Sequence, residues 1–585
     1  MTGRNEPLTL KVPAASVLER AQVTPSLDLN STGQLDQAID AAQPPERRTY
    51  QDLTLRIGLE NSLERGGWRL DAGGNAVGVT RETQRLRFSD LAIEAPAVDL
   101  ADYRIELSRG ETRFRLGNVT AGSNRLLLEG FGSRGAGAAF QVGPAVGVDA
   151  AVVNGSNVVG WSNPLGMARS DHRIAVGTVN LELLPSRPGG VHLDVSGLDG
   201  SVLPVAGYTQ GAATDAEESR GLGVRVAMSD ARQRIRLAAG LARSRFVNPG
   251  DPFLFGDTSV VPVQPTTRTA RYGELSLQLL QGLKLDPQTE VAAALTLRHE
   301  RVDPLYRSVG GYLQSDVNND GADVSASVGP LSLQGQWSAA RDNLDEIPSI
   351  LTTKTQTRGF TVGAPLGPIL GALPTAWYLP ALSYSWQRTR QFGEGLPDNG
   401  EFAESHVPDQ WNTVQNGSAA FAGTTWSLTW QWNQSFQDNR QPGREDADFR
   451  SVVHGVSLAL NGLGSFTPSL DVGTERQRNL ETDQTQETDR IGASVQARLA
   501  RSTTFSGSLS QAWGTDPAAE QRSRNTEIQM ELSQGFDLYR RMDGNQARLF
   551  LRYSRTRAAF LPFAAAGLMP RVFWTFNAGG SVRLY

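Results

Sequence analysis

Residues 424–436 have the sequence TTWSLTWQWNQSF. Bulky apolar side chains occupy every second position, at Trp426, Leu428, Trp430 and Trp432, and polar side chains occupy the positions between them, at Ser427, Thr429 and Gln431. Successive side chains of an extended strand point to opposite faces. The stretch is therefore predicted to be a β-strand with one apolar face and one polar face.

The same period of two recurs from about residue 50 to the end of the chain, and helical periodicity is scarce. We count on the order of 24 such strands, with a margin of several, at roughly 22 residues per strand and connection. The predicted fold class is all-β, with a single large antiparallel transmembrane β-barrel over residues 49–585. Clear examples are Tyr103, Ile105 and Leu107; Leu222, Val224, Val226 and Met228; Val291, Ala293, Leu295 and Leu297; and Ile491, Ala493, Val495, Ala497 and Leu499.

The connections between these strands alternate in length. Turns of a few residues are predicted at Gly329-Pro330 and around Arg501. Short turns on one side and long loops on the other are typical of outer-membrane barrels, whose long loops are extracellular. Long polar connections are predicted at 242–270, 300–320, 390–415, 436–450 and 476–488.

The composition of the 585-residue chain agrees with a membrane barrel. Charged residues make up 20%, hydrophobic residues make up 39%, and the mean hydropathy is -0.33. Lumen-facing polar residues and polar loops keep the average hydropathy of such a barrel low. No apolar run reaches the roughly 18 residues of a transmembrane helix, so only strands could span a membrane. A soluble all-β surface protein and a β-solenoid are the alternatives, but no fixed-period repeat supports a solenoid.

Residues 1–48 are predicted to be an irregular N-terminal arm that enters the lumen or reaches into the periplasm. Prolines lie among polar residues there without a sustained apolar period. Met1–Glu19 lacks the charged, apolar and small-residue pattern of a signal peptide, so we expect a mature or trimmed chain. The prolines are Pro7, Pro13, Pro25, Pro44 and Pro45.

Two features favour a membrane over a soluble sandwich. Almost every strand has only one apolar face, whereas a sandwich of this many strands needs a thicker dry core. Aromatic residues lie near strand ends or on the apolar face, as girdles at both membrane surfaces require. Outer-membrane lipid is accordingly a predicted partner. The predicted girdle residues are Trp386, Trp426, Trp432, Trp513, Tyr553 and Trp574.

The C-terminal strand resembles the terminal strand of Gram-negative outer-membrane β-barrel proteins. The chain ends in an aromatic residue, Tyr585, after an uninterrupted alternating apolar face. This resemblance implies an outer-membrane location and recognition of the strand by the barrel-assembly machinery. Tyr585 is out of phase with the apolar face, which predicts either a weaker assembly signal or a bulge near Gly579-Gly580. The apolar face is Val572, Trp574, Phe576, Ala578, Gly580, Val582 and Leu584.

Arginines recur opposite the apolar faces, where they are predicted to face the lumen. A ring of free arginines would favour anions in a pore. The preferred interpretation is that they pair with lumen carboxylates such as Glu106 and Glu531 and stiffen the wall. The predicted lumen arginines are Arg113, Arg115, Arg225, Arg234, Arg236, Arg548, Arg552 and Arg583.

Candidates for metal or catalytic chemistry are few. Asp316, Asn318 and Asp320 are spaced like the start of an EF-hand calcium loop, but the twelfth position is Ser327 instead of glutamate, so a plain polar turn is the preferred interpretation. Asp171-His172 could imitate part of a catalytic triad, but adjacent residues of a strand point to opposite faces. The chain has no cysteine and none of the GxSxG, HExxH or Walker motifs, and we predict neither an enzyme nor a cofactor.

The sequence leaves two functional hypotheses. A barrel this large has a lumen that its own wall cannot fill, which favours a transport or export conduit that is open or plugged. The alternative is a structural scaffold or sheath without solute flux, holding a periplasmic protein or lipoprotein in the lumen. The net charge of -5, without a long basic block, argues against nucleic acid as a partner.

One glycine-rich segment stands out within the barrel. Gly117 to Phe140 is predicted to be a tight turn with bulges. A constriction, a lateral gate and an inward-folded plug are its functional alternatives. Together with Asp342-Asn343-Leu344, the segment resembles very large barrels used in secretion and surface assembly.

Overall fold

A computed structural model describes the chain except residues 1–8, 11–19, 40–46, 48, 89–94, 204–215, 248–264, 288, 312, 372–375, 399–402, 462, 518–519, 538–545, 563–568 and 585. Tyr585 therefore lies outside the described residues. The side chains of residues 9–10, 20–21, 36–39, 560–562, 569–571 and 583–584 are also outside the description.

Strands make up nearly all the regular structure. One short helix, α1 (Leu366–Ile369), and 3-10 turns at Glu82–Gln84 and Glu404–His406 lie in connections. Among the described residues, no helix has the length and apolar character needed to cross a membrane. The strands are β1 (Thr9–Leu10), β2 (Arg20–Ile39), β3 (Tyr50–Arg65), β4 (Trp68–Val79), β5 (Val98–Arg109), β6 (Thr112–Asn124), β7 (Leu128–Val142), β8 (Val146–Asn154), β9 (Arg173–Glu182), β10 (Val191–Val202), β11 (Glu217–Ser229), β12 (Ile235–Val247), β13 (Thr266–Lys284), β14 (Glu290–Val302), β15 (Val317–Val328), β16 (Leu331–Arg341), β17 (Thr352–Pro365), β18 (Ala381–Glu394), β19 (Asp409–Ala422), β20 (Trp426–Asn439), β21 (Phe449–Leu460), β22 (Phe466–Asn479), β23 (Gln484–Arg498), β24 (Thr503–Asp516), β25 (Gln521–Asp537), β26 (Gln546–Pro562) and β27 (Met569–Leu584).

The strands form a closed barrel. Each strand from β3 to β26 pairs antiparallel with its two neighbours in sequence, and β2 pairs with both β3 and β27. The result is a 26-stranded barrel, which confirms the predicted fold class. Strands about 4.8 Å apart and tilted by about 40° would give a circular barrel of this size a diameter of about 50 Å.

The N-terminal boundary of the barrel differs from the prediction. Residues 20–39, which we placed in the irregular arm, form the wall strand β2 that closes the barrel. The apolar positions Val23, Pro25, Leu27 and Leu29 alternate, and Pro25 obscured that alternation. Proline removes one backbone donor but keeps an extended backbone, so a strand can accommodate it.

The register of β27 is regular where we considered a bulge. Gly579 and Gly580 pair with consecutive residues of both neighbouring strands. The register shift at this seam lies in β2 instead, between Gln34 and Asp36. A bulge in β27 therefore does not restore the phase of the C-terminal aromatic residue.

The two ends of the barrel have connections of different length. Pairs such as β3–β4, β15–β16 and β23–β24 are joined by the short turns 66–67, 329–330 and 499–502 at one end, the short-turn end. The opposite, long-loop end carries connections such as 155–172 and 342–351. This is the predicted asymmetry. The predicted long connection 476–488 is an exception, because β22 and β23 leave only 480–483 between them.

The outer surface of the wall is apolar. Large side chains on one face of their strands are exposed there, including Leu222, Leu241, Leu549 and Leu551. The intervening positions carry polar side chains or glycine, as at Arg548 and Arg552 of β26. In a closed barrel these alternate positions face the lumen.

Candidate functional site

Strands β6 and β7 leave the barrel wall part-way along their length. β5 pairs with β6 only over 104–109, and β7 pairs with β8 only over 135–142. Beyond those points β6 and β7 continue to pair with each other. Residues 118–134, which we call the lumen hairpin, are the part that has left the wall.

A pair of glycines makes this bend. Gly117 of β6 and Gly135 of β7 are paired with each other, and Gly117 has a φ of 98°. A Cβ on Gly117 would lie 2.2 Å from the Tyr103 carbonyl oxygen, and one on Gly135 would lie 2.0 Å from the Val152 carbonyl oxygen. Only glycine fits where each strand turns this closely past its neighbour.

The tip of the lumen hairpin packs against the inside of the wall. Leu126, Leu127 and Leu128 are buried completely or almost completely. They belong to an apolar cluster, the inner cluster, that covers the inner faces of β8 to β10 and β12 to β14 at the long-loop end. Its members are Val119, Ala121, Leu126, Leu127, Leu128, Phe131, Ala151, Val153, Ile174, Val176, Leu198, Ala242, Phe246, Ala270, Tyr272, Val302, Tyr306 and Val309.

Glycines on β11 make room for the tip. A Cβ on Gly221 would lie 2.5 Å from Leu127 Cδ2, and one on Gly223 would lie 2.6 Å from Asn124 Nδ2. The backbone of β11 therefore approaches the hairpin directly. Close packing against β11 stabilises the lumen hairpin in addition to the burial of its apolar area.

Polar contacts fix the tip to the connection 303–316. The Tyr306 hydroxyl donates a hydrogen bond to the Leu126 carbonyl oxygen at 2.6 Å, and burial raises the pKa of this phenol. Arg125 forms an ion pair with Glu300, and its guanidinium lies 4.0 Å from the centroid of the Tyr272 ring. The hairpin and this connection together form one inward-folded unit.

The opposite part of the lumen wall is lined by neutral polar side chains. Within the described residues, β16 to β27 contribute no member to the inner cluster. Hydrogen bonds between neutral side chains join neighbouring strands there, or in one case pass over Gly359 of β17 from β16 to β18, and we call this set the neutral ladder. It includes Gln336 to Gln387 at 3.2 Å, Asn416 to Ser385 at 3.1 Å, Ser469 with Ser494 at 2.8 Å, Thr504 with Ser533 at 2.7 Å and Ser554 with Thr575 at 2.6 Å.

Several predicted lumen arginines lie beside carboxylates. Arg115 is 2.6 Å from Asp149, Arg225 is 3.5 Å from Asp194, and Arg548 and Arg552 are 2.5 and 2.6 Å from Glu531. Such pairs reduce the field that the arginines present to a passing ion.

The other predicted arginines have different surroundings. Arg113 lies 3.9 Å from Glu111 at a short turn, and Arg236 donates to Gln233 at 2.6 Å. Arg234 lies in the turn before β12, and the Arg583 side chain is outside the description. The eight arginines therefore do not form one ring.

The calcium candidates do not converge on one point. The Asp316 carboxylate accepts hydrogen bonds from the backbone amides of Asn343 and Leu344, at 3.0 and 2.8 Å. Asp320 accepts from His299 at 2.7 Å, and Asn318 lies beside it on β15. In the part of the chain that the structure describes, no group of three or more acidic or histidine side chains is arranged to hold a metal ion.

The six predicted girdle residues lie at different heights. Trp426 is at the short-turn end of β20 and Trp386 lies near the middle of β18, whereas Trp513 and Trp574 are nearer the long-loop ends of β24 and β27. Trp432 and Tyr553 lie in the middle of their strands. A Trp377 ring, which the sequence analysis did not select, packs edge-on against Trp426 at 5.8 Å.

His172 has a serine neighbour but not a catalytic arrangement. Its Nε2 lies 2.8 Å from Ser156 Oγ, while its Nδ1 accepts a hydrogen bond from the Leu203 amide at 3.0 Å. The ring proton is therefore on Nε2, which donates to the serine and cannot accept its proton. The Asp171 carboxylate pairs with Arg169 instead.

The sequence indicated that the lumen hairpin is an unusual segment, but it did not show that the segment folds into the lumen. Gly117 to Phe140 was selected for its glycines, and an inward-folded plug was one alternative, but a tight turn with bulges was preferred. The additional signal is the run Leu126–Leu128, which breaks the period of two at the point where a polar loop is expected.

No protein-family model matches this sequence, and no curated protein matches it significantly. Among solved structures, the chain is similar to the P pilus usher (PapC) translocation pore, at 11% identity over 96% of this chain and 99% of that chain, with a TM-score of 0.31. It is similar to the copper transporter OprC at 10% identity over 95% and 80%, with a TM-score of 0.36. A BenF-like porin from Pseudomonas fluorescens is 11% identical over 75% and 99%, with a TM-score of 0.27.

The architecture of this chain defines its setting. It combines an even number of antiparallel strands, an apolar outer wall, polar side chains on the lumen side and one end with longer loops. This is the architecture of Gram-negative outer-membrane β-barrels, with the long-loop end extracellular. The predicted localisation is confirmed.

Proposed function

We propose that this barrel is a transport or export conduit, narrowed on one side of its lumen by the lumen hairpin. The neutral ladder is the observation that carries the proposal. A wall that only enclosed an apolar partner would present apolar side chains, whereas β16 to β27 present amides and hydroxyls joined by hydrogen bonds.

The ladder favours polar cargo. Its donors and acceptors are partly satisfied by each other, so they offer many weak contacts instead of one strong binding site. A polar substrate can exchange such contacts along the wall without being trapped, which is the requirement for conduction. Glu531 partly neutralises Arg548 and Arg552 on this part of the wall, and Asp149 and Asp194 pair with Arg115 and Arg225 on the opposite part.

Planar-bilayer recording of the purified, refolded chain tests this proposal. A heat-modifiability gel first establishes that the barrel is closed. Stable conductance steps with weak ion selectivity are expected, because four of the predicted lumen arginines, Arg115, Arg225, Arg548 and Arg552, lie beside carboxylates. A reversal potential strongly shifted toward anions would contradict the pairing, and a folded but electrically silent barrel would favour the scaffold hypothesis.

A further inference from the structure

The departure of β6 and β7 interrupts the barrel wall near the long-loop end. On one edge β5 pairs with β4 up to Val98, but on the other edge its pairing with β6 ends at Arg104. Residues 98–103 of β5 therefore have no strand partner on the side of the hairpin. An unpaired strand edge at membrane depth must be covered by protein.

Residues 155–172, which we call the seal segment, cover this edge. On the β5 side, the Trp161 amide donates to Asp99 Oδ1 at 2.9 Å, and the Tyr103 hydroxyl donates to the Pro164 carbonyl oxygen at 2.5 Å. On the β8 side, Asn154 Nδ2 donates to the Gly166 carbonyl oxygen at 2.9 Å. The segment is thus attached at both margins of the gap.

These attachments differ from a strand ladder. Within the described residues, the backbone-to-backbone hydrogen bonds of the seal segment join residues of the segment to each other. For example, the Asn163 amide donates to the Gly160 carbonyl oxygen, and the Gly166 amide donates to the Asn163 carbonyl oxygen. Within the described residues, its bonds to β5 all use a side chain on one partner. A few side-chain bonds are easier to break than a continuous ladder, so the seal segment is held to β5 less firmly than one wall strand is held to the next.

The outward face of the seal segment is apolar. Trp161 and Leu165 are about half exposed, and Val158 and Met167 are also exposed. The lumen hairpin covers the other face, because a Cβ on Gly166 would lie 2.0 Å from the Arg134 carbonyl oxygen. The exposed side chains of the segment therefore lie on the side away from the lumen hairpin.

Buried charged side chains from neighbouring segments lie against the inward face of the seal segment. Arg87 pairs with Asp99 at 2.8 Å, and both side chains are buried. Arg134 has no exposed surface, and it donates to the carbonyl oxygens of Gly160 and Leu100 at 2.6 and 3.2 Å. Its Nε has no partner among the described residues. The Arg134 guanidinium is thus buried with carbonyl oxygens as its bonded partners, without a carboxylate bonded to it among the described residues, and such burial of a charge is costly.

We propose that the seal segment is a lateral door through which an anionic amphiphile passes between the lumen and the outer leaflet, its acidic headgroup bound by Arg134. The amphiphile's chain contacts the apolar outward face of the door, and its acidic headgroup accepts a charge-assisted hydrogen bond from the Arg134 Nε, which has no partner among the described residues. This route runs in the membrane plane, so it goes beyond the conduit proposed above.

Cross-linking the door shut tests the proposal. Because the chain contains no cysteine, the double variant Val98→Cys/Trp161→Cys carries the only thiols. Both positions are exposed, and the Trp161 amide is bonded to Asp99, the residue next to Val98. A short bis-maleimide with a reducible linker joins the two thiols, and a monofunctional maleimide on the same variant is the matched control.

Two probes separate the lateral route from the lumen. Proteoliposomes are assayed for transfer of a dodecyl phosphate that carries its fluorophore on the alkyl chain, so that the phosphate headgroup keeps its negative charge. The same proteoliposomes are assayed for flux of inorganic phosphate through the lumen. Cross-linking is expected to lower dodecyl phosphate transfer by about tenfold, with recovery on reduction, and to leave phosphate flux within about twofold. Unchanged dodecyl phosphate transfer overturns the door. Equal loss of both fluxes also overturns it, because the amphiphile then follows the lumen.

The headgroup contact has its own test. Arg134→Gln is expected to raise the concentration of dodecyl phosphate needed for half-maximal transfer by about tenfold. Arg134→Lys retains the charge and is expected to retain most of the affinity. Equal affinity in all three proteins would overturn the role of Arg134. If Arg134→Gln fails the heat-modifiability gel, transfer of dodecyl phosphate by the parent protein is compared with transfer of dodecanol, which lacks the acidic headgroup, and equal apparent affinity for the two would overturn the role of Arg134. Absence of phosphate flux in the uncross-linked protein would contradict the conduit and leave the test of the door intact.

Discussion

Shortening Leu127 to alanine should release the lumen hairpin from the wall. Leu127 is fully buried at the tip, against the backbone of β11 at Gly221. A fully buried Leu→Ala change costs roughly 2–5 kcal/mol, and about 3 kcal/mol raises the undocked population by about 150-fold. The barrel itself should remain closed, since Leu127 lies in the connection between β6 and β7 and belongs to no ladder.

Hydrogen exchange followed by mass spectrometry measures this change. Exchange in peptides covering residues 118–134 should accelerate by about 150-fold when the local opening equilibrium governs the exchange rate, while peptides from β24 and β25 keep their protection. Leu551→Ala on the lipid-facing side of β26 is the matched control, because Leu551 is 45% exposed and distant from the hairpin in the strand order. Exchange at 118–134 should be the same in this control as in the parent protein.

A double variant checks whether the tip contacts β11 as described. Gly221→Ala alone places a Cβ 2.5 Å from Leu127 Cδ2, and such overpacking costs roughly 1–3 kcal/mol. With Leu127→Ala the new methyl group meets empty space, so the combined effect should be smaller than the sum by about 1–2 kcal/mol. Strict additivity, or exchange at 118–134 that is insensitive to Leu127, would refute the docked hairpin.

Two further changes probe the bend and the lumen charge. Gly135→Ala should reduce the folded, heat-modifiable fraction, because its Cβ would lie 2.0 Å from the Val152 carbonyl oxygen. Gly132→Ala is the control and should fold normally, because a Cβ at that position has nothing within 4 Å. Equal yields of the two folded variants would contradict the bend. Glu531→Gln removes the partner of Arg548 and Arg552 and should shift the reversal potential in a salt gradient toward anion preference, and an unchanged potential would mean that these arginines do not face the conducting lumen.

Alternation along the chain was sufficient to predict most wall strands. Residues 424–436 were predicted as a strand with one apolar face, and β20 covers Trp426–Asn439. The signal is strong because a lipid-facing wall demands a large apolar side chain at every second position, whatever the neighbouring strand carries.

The same signal fails where a strand has no lipid to face. β22 and β23 continue into 476–479 and 484–488, where both faces are polar, so the sequence predicted a loop. β2 was missed for a different reason, because Pro25 obscured an apolar face that does alternate. Backbone pairing with an existing neighbour keeps such segments extended, and that neighbour is not visible in a local pattern.

The inward fold of the lumen hairpin could not be predicted for a different reason. Its glycines and its leucine run are local, and they identify an unusual segment. Whether that segment stays in the wall or folds inward depends on the apolar inner faces of β8 to β14 and on Tyr306, which lies 180 residues beyond Leu126. Those partners face the tip only after the sheet has curved into a barrel.

The period of two therefore defines the strands, their apolar face and the membrane as their surroundings, because each depends on residues that are close together in the chain. Closure of β2 on β27, the inward bend at Gly117 and Gly135, and the gap that residues 155–172 cover depend on contacts between distant strands. Local alternation carries no information about which edges meet, so only the folded barrel decides these features.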